Sequence, residues 1–94
     1  MQTRYHIKLN NKRTTISVDN ILSELLAVKL GLHPKDMKTH SILREWFEQT
    51  IRGRLGEDLP RNSRVSQWAR TYAIEAIADQ GLINSVRSYR LDER

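Results

Sequence analysis

Six side chains near the N-terminus stand out by type and spacing: Arg4, His6 and Lys8 at every second position of one short segment, and Arg13, Thr15 and Ser17 at every second position of the next. Guanidinium, ammonium and imidazole groups donate hydrogen bonds and hydroxyls both donate and accept, so this set suits a polar, anionic partner better than a reacting centre. No acid lies among the six. The formal net charge of the 94 residues, +5, points the same way, with nucleic acid the commonest acidic partner. Bond-breaking chemistry lacks its usual parts. There is no cysteine, hence no thiolate nucleophile, thiolate metal site or disulfide framework. There is also no Gly-rich phosphate loop, no His-Glu-x-x-His pair and no close pair of carboxylates in an apolar setting. His6, His33 and His40 fall in separate segments without the spacing of metal ligands. The expectation is a protein that is not an enzyme, takes no cofactor and binds no metal. With no secretory signal and no apolar run long enough to cross a bilayer, it reads as cytoplasmic.

The elements that position the six residues follow from hydrophobic periodicity. In Arg13-Thr14-Thr15-Ile16-Ser17-Val18 the apolar positions alternate with polar ones, as they do on a strand with one buried face. Arg4 to Leu9 shows the same alternation. Asn10-Asn11 between them can adopt the positive φ angles of a tight turn. A hairpin with those two residues as its loop sets Leu9 against Lys12, Ile7 against Thr14 and Tyr5 against Ile16. Both strands then bury their apolar residues on one side and turn Arg4, His6, Lys8, Arg13, Thr15 and Ser17 to the other. Strand periodicity passes into helix periodicity with no linker. Asp19 or Asn20 can cap a first helix whose Ile21, Leu22, Leu25, Leu26, Val28 and Leu30 form a stripe too wide for one neighbour, with Gly31 as its stop. After His33-Pro34, a second helix is predicted from about Thr39 or Ser41 to Leu55, with Leu43, Trp46, Phe47, Thr50 and Ile51 on its inner face. Gly and Pro mark a loop over 53–62. A third helix, capped by Asn62 or Ser63, carries Val65, Trp68, Ala69, Tyr72, Ala73, Ala76 and Ile77 and stops at Gly81, with Leu82, Ile83, Val86 and Tyr89 in a last turn or short helix.

The run from about Lys12 to Arg54, a strand entering a Leu-rich helix directly and then a second amphipathic helix, resembles the ribbon-helix-helix family of Arc/MetJ-type DNA-binding repressors. What the resemblance implies is an α+β, mainly helical fold: an N-terminal strand or hairpin followed by three helices, intertwined as a dimer. Residues 1–56 would form the DNA-binding core, and 57–94 a C-terminal helical extension. The ribbon would enter the major groove of double-stranded DNA, a docking mode known for β-ribbon readers. Arg13, Thr15 and Ser17 would touch bases, with Arg4, His6 and Lys8 in support. The start of the second helix, at Lys38, Thr39, His40 and Ser41, would meet a phosphate. The chemistry of these residues agrees: Arg can bond both the O6 and N7 atoms of guanine, and small hydroxyls approach base edges closely. Free amides and the positive end of a helix dipole suit an anion. The implied function is sequence-specific transcriptional regulation by a repressor acting as a homodimer, with higher oligomers on DNA and no membrane partner.

The N-terminal strand, the long connection from Gly31 to His40 and the third helix are additions to the family's pattern. They leave room for a reading of another class: a protein-interaction module, antitoxin-like or an adaptor subunit, acting through residues 63–91. A helix-turn-helix reading with Ser63, Arg64, Gln67 and Arg70 on the recognition helix fits poorly, because the preceding loop is far longer than the usual turn of about three to four residues.

Overall fold

The computed structural model describes residues 1–56 and 64–92, with side chains as far as Ser88. The cap candidates Asn62 and Ser63, and most of the loop read over 53–62, lie outside the described residues.

Two antiparallel strands, β1 (Gln2–Leu9) and β2 (Lys12–Asp19), form a two-stranded sheet. Asn10 and Asn11 take φ of 52° and 62°, the left-handed conformation that a two-residue hairpin turn demands at both positions. That turn sets the register, pairing Leu9 with Lys12, Ile7 with Thr14 and Tyr5 with Ile16. Because side chains alternate across a strand, this register collects Tyr5, Ile7, Leu9, Ile16 and Val18 on one face, all buried. A slip of one residue would turn them all to solvent.

Helix α1 (Asn20–Lys29) starts without a linker. Asp19 occupies the cap position but makes no side-chain cap bond; Asn20 Oδ1 instead accepts a hydrogen bond from Thr3 Oγ1 at 2.6 Å, tying β1 to the helix start. At the other end Gly31, with φ of 79°, lets Leu32 N–H reach the Ala27 carbonyl and its own N–H reach that of Val28. This paired closure satisfies carbonyls that the helix end would otherwise leave open. The wide apolar stripe divides: Leu26 and Ala27 are buried, whereas Ile21, Leu25 and Val28 face solvent.

Helix α2 (Thr39–Leu55) buries Thr39, Leu43, Phe47 and Ile51, one per turn, and packs along β1. It ends at Leu55, as its apolar pattern predicts, and so takes in Gly53 and Arg54, the first residues of the stretch that Gly and Pro mark as a loop. Leu55 still packs on the core, and the chain breaks away only at Gly56, whose φ is 69°. Helix α3 (Val65–Ile77) lies against β2 and α1 and contributes Val65, Ala69, Tyr72 and Ala73 to the same buried cluster.

The C-terminal region corrects the three-helix expectation. Helix α3 ends at Ile77, not at Gly81, because Ala78 turns to an extended backbone with ψ of 151°. A fourth helix, α4 (Gln80–Asp92), follows. Asp79 stands just before it, where an acid favours a helix N-terminus. Its carboxylate lies over Gly81 so closely that a Cβ there would come within 3.2 Å of Oδ2, so Gly81 belongs to the opening turn of α4. Among the described residues the architecture is therefore α+β, a hairpin followed by four helices. Among the described residues, no helix is long and apolar enough to cross a membrane.

The largest fully buried side chains include Phe47, whose ring meets those of Tyr5 and Trp46. Phe47→Ala should cost about 3–5 kcal/mol in urea unfolding. Asn11→Gly, which removes the Cβ penalty of positive φ, should gain about 0.5 kcal/mol. A loss of stability in Asn11→Gly would contradict the turn geometry.

Candidate nucleic-acid interface

One face of the hairpin is sealed by helices, so the other is held outward. Across it, Arg4 pairs with Ser17, His6 with Thr15 and Lys8 with Arg13. Arg4, His6, Lys8, Arg13 and Thr15 are exposed, and Ser17 is half-buried. The structure thus brings together all six residues singled out by alternation. His6 Nδ1 and Thr15 Oγ1 lie 2.9 Å apart, a cross-strand hydrogen bond that orients both side chains in the middle of the face. Asp19, opposite Gln2, closes the row at the end away from the turn.

Each outer edge of the ribbon is fastened to a helix through both backbone groups of one residue. On β1, Lys8 N–H donates to Glu48 Oε1 at 2.6 Å and Arg52 Nη2 donates to the Lys8 carbonyl at 2.7 Å. On β2, Ser17 N–H donates to Ser66 Oγ at 3.0 Å and Arg70 Nε donates to the Ser17 carbonyl at 3.4 Å. The same device appears twice. An acceptor at position i of a helix and an arginine at i+4 lie one turn apart on the same side, so together they meet a donor and an acceptor of one strand residue. The Arg4 carbonyl accepts a fifth bond of this kind, from His40 Nε2 at 3.1 Å.

These fastenings also place cations beside the exposed face. A guanidinium has five N–H donors, so Arg52 and Arg70 keep donors for a partner after holding the strand. Next to Arg13 and Lys8, an open depression of about 500 Å³ includes Arg44 and Glu48. Arg44 lies 3.9 Å from Glu48 and 3.8 Å from Glu45, loose surface pairs that leave its charge available. Sequence reading missed this flanking set. Arg52 lies off the apolar face that marks the second helix, and Arg70 belongs to the disfavoured recognition-helix reading. The i, i+4 spacing of Glu48 with Arg52, and of Ser66 with Arg70, was the available signal.

The residues expected to meet a phosphate at the start of α2 are less uniform. Lys38, His40 and Ser41 are exposed, but Thr39 is buried and its hydroxyl donates to the His33 carbonyl at 2.6 Å. Lys38 N–H donates to Asp36 Oδ1 and Thr39 N–H to the Asp36 carbonyl. Asp36 thereby takes two of the amides that an anion would use.

His40 stacks on Tyr5, ring centroids 4.7 Å apart. Tyr5 is buried and its hydroxyl donates to Ser23 Oγ at 2.9 Å. Burial pushes its pKa above the ordinary 10.0, the bond to Ser23 opposing in part. Among the described residues, no cluster of three or more His, Asp or Glu could hold a metal ion. No protein family, curated protein or solved structure matches the chain.

The raised Tyr5 pKa gives a pH dependence of definite sign. The folded protein holds the phenolic proton to higher pH than the unfolded chain does, so this contribution is complete below about pH 10 and is lost as pH rises through the folded value. Urea unfolding at pH 8 and pH 11 should show a larger alkaline loss in the wild type than in Tyr5→Phe. Equal losses would contradict the burial of the phenol.

Proposed function

We propose that the chain binds double-stranded DNA through the outward face of its hairpin and acts as a sequence-selective transcriptional regulator, a repressor in the manner of the ribbon-helix-helix family. The observation that carries this reading is the exposed row of Arg4, His6, Lys8, Arg13 and Thr15, presented at two-residue spacing on a two-stranded ribbon. The B-DNA major groove, about 12 Å wide, admits a ribbon of two strands. In the family the second strand comes from a partner chain; here β1 supplies it within the same chain. Arg13 is suited to the guanine O6 and N7 edge, and Thr15, oriented by His6, to a neighbouring base. Arg4 and Lys8 would hold backbone phosphates, with Lys38, His40 and Ser41 reaching the strand beyond. Phosphate contacts set affinity and its salt dependence, whereas base contacts set preference.

A second reading, a protein-interaction module acting through the C-terminal region, is favoured by a different observation. Between α3 and α4 an apolar trough of about 340 Å³ leaves Ile74, Leu82 and Val86 exposed. The two roles can share one chain, since trough and hairpin face involve different residues.

The test is fluorescence anisotropy with a duplex selected from a random pool and a scrambled duplex alongside. Arg13→Ala should weaken the selected duplex by about 1–3 kcal/mol and flatten the preference. Lys38→Ala should weaken both duplexes alike and lower the slope of log K against log salt by about one. Equal losses on both duplexes for Arg13→Ala would remove its base-reading role. Failure of the wild type to bind any duplex, even at low salt, would leave the trough as the working surface.

A further inference from the structure

Helix α1 carries an apolar stripe that none of the described residues covers. Ile21, Leu25 and Val28, spaced i, i+4, i+7, are 63, 48 and 63 % exposed, while Leu26 and Ala27 on the opposite side lie in the core. In a heptad frame Ile21 and Val28 take position d and Leu25 takes position a. Glu24 then falls at g and Lys29 at e, one charge on each flank of the stripe. Both are exposed, and the ion pairs among the described residues involve neither.

We propose that α1 is a docking face for a second copy of this chain, the two helices lying parallel with Glu24 of each facing Lys29 of the other. The charges select both the occupant and the orientation. When two such helices lie parallel, opposite flanks meet and the residue at g faces the e residue five positions further along the second helix, which is the separation of Glu24 and Lys29. An antiparallel pair would bring like flanks together, Glu24 against Glu24 and Lys29 against Lys29. The stripe is therefore complementary to itself in one arrangement only.

Other features of the fold favour helix pairing over sheet extension. Lys8 and Ser17, one on each outer strand edge, already have both backbone groups engaged by α2 and α3. A second copy would have to displace those side chains to add a strand there. Helix α1 needs no such change, and because its inner side is fixed in the core, the nucleation cost that makes short coiled coils unstable falls on folding and not on association. The paired segment is short, 10 residues or about 15 Å. A seam that short places the dimer among the weak, transient interfaces, so association is expected only at the higher concentrations. The inference is independent of DNA binding, since none of these residues lies on the hairpin face.

Sedimentation equilibrium of the full chain from about 5 to 500 µM tests it, with circular dichroism to establish that each variant is folded. The wild type should pass from the 11.0 kDa chain mass to twice that value across the range. Leu25→Asp, at a site already half-exposed, should remain monomeric with unchanged helix content. Glu24→Lys and Lys29→Glu should each weaken association roughly tenfold, and the double variant should restore it. A wild type monomeric at the highest concentration would overturn the proposal. So would a dimer that survives Leu25→Asp but is lost in Val86→Asp, or charge variants that all leave association unchanged, the result expected of an antiparallel pair, in which every variant keeps like charges facing each other.

Discussion

Two asparagines in the left-handed conformation decide more of this molecule than any other pair of residues. With φ of 52° and 62°, Asn10 and Asn11 close the hairpin in two residues and so determine which residues of β1 oppose which of β2. The parity of that register puts five apolar side chains on one face and the basic and hydroxyl side chains on the other. A core of Phe47, Ile51, Leu26, Ala69 and Ala73 then has a flat apolar surface to pack on, and the cations are left facing water. Core and candidate interface are two sides of one constraint. The helices complete it by fastening the ribbon edges at Lys8 and Ser17, where i, i+4 pairs of side chains replace a neighbouring strand.

Local signals made the hairpin and the first two helices legible in the sequence. Alternation over 4–9 and 13–18 gave the faces, Asn10-Asn11 the turn and Gly31 the end of α1. Helix α2 began at Thr39 as its pattern indicated. The misreadings came where a local preference competed with packing. At 53–55 two readings overlap, a helix to Leu55 and a loop from Gly53; Leu55 has a place on the core, so the helix reading holds and only the start of the loop is displaced. Gly81 reads as a stop, yet it sits in the first turn of a helix that Asp79 begins. No sequence pattern marks Ala78, whose extended backbone separates α3 from α4.

The candidate site was legible to the same depth. The six residues of the outward face followed from strand parity alone. Their flanking arginines did not, because Arg52 and Arg70 acquire their positions from tertiary hydrogen bonds to strand carbonyls, over separations of 44 and 53 residues in the chain. The burial of Thr39 was equally hidden. A threonine before an amphipathic helix reads as a cap or a phosphate contact, and here its hydroxyl closes the preceding loop onto His33. Rigidity is what the fastenings add to the proposed interface. A ribbon whose two edges are tied to helices presents its cations in one geometry, which favours discrimination among base sequences over charge attraction alone.

The most direct test of the central claim is a two-dimensional ¹⁵N–¹H correlation spectrum of the labelled protein, titrated with a short duplex at physiological salt. The expected result is that amides of Arg4, His6, Lys8, Arg13 and Thr15 shift together and saturate at one stoichiometry, while those of Ile74, Leu82 and Val86 stay in place. Shifts confined to α3 and α4, or scattered over every lysine and arginine without saturation, would contradict it.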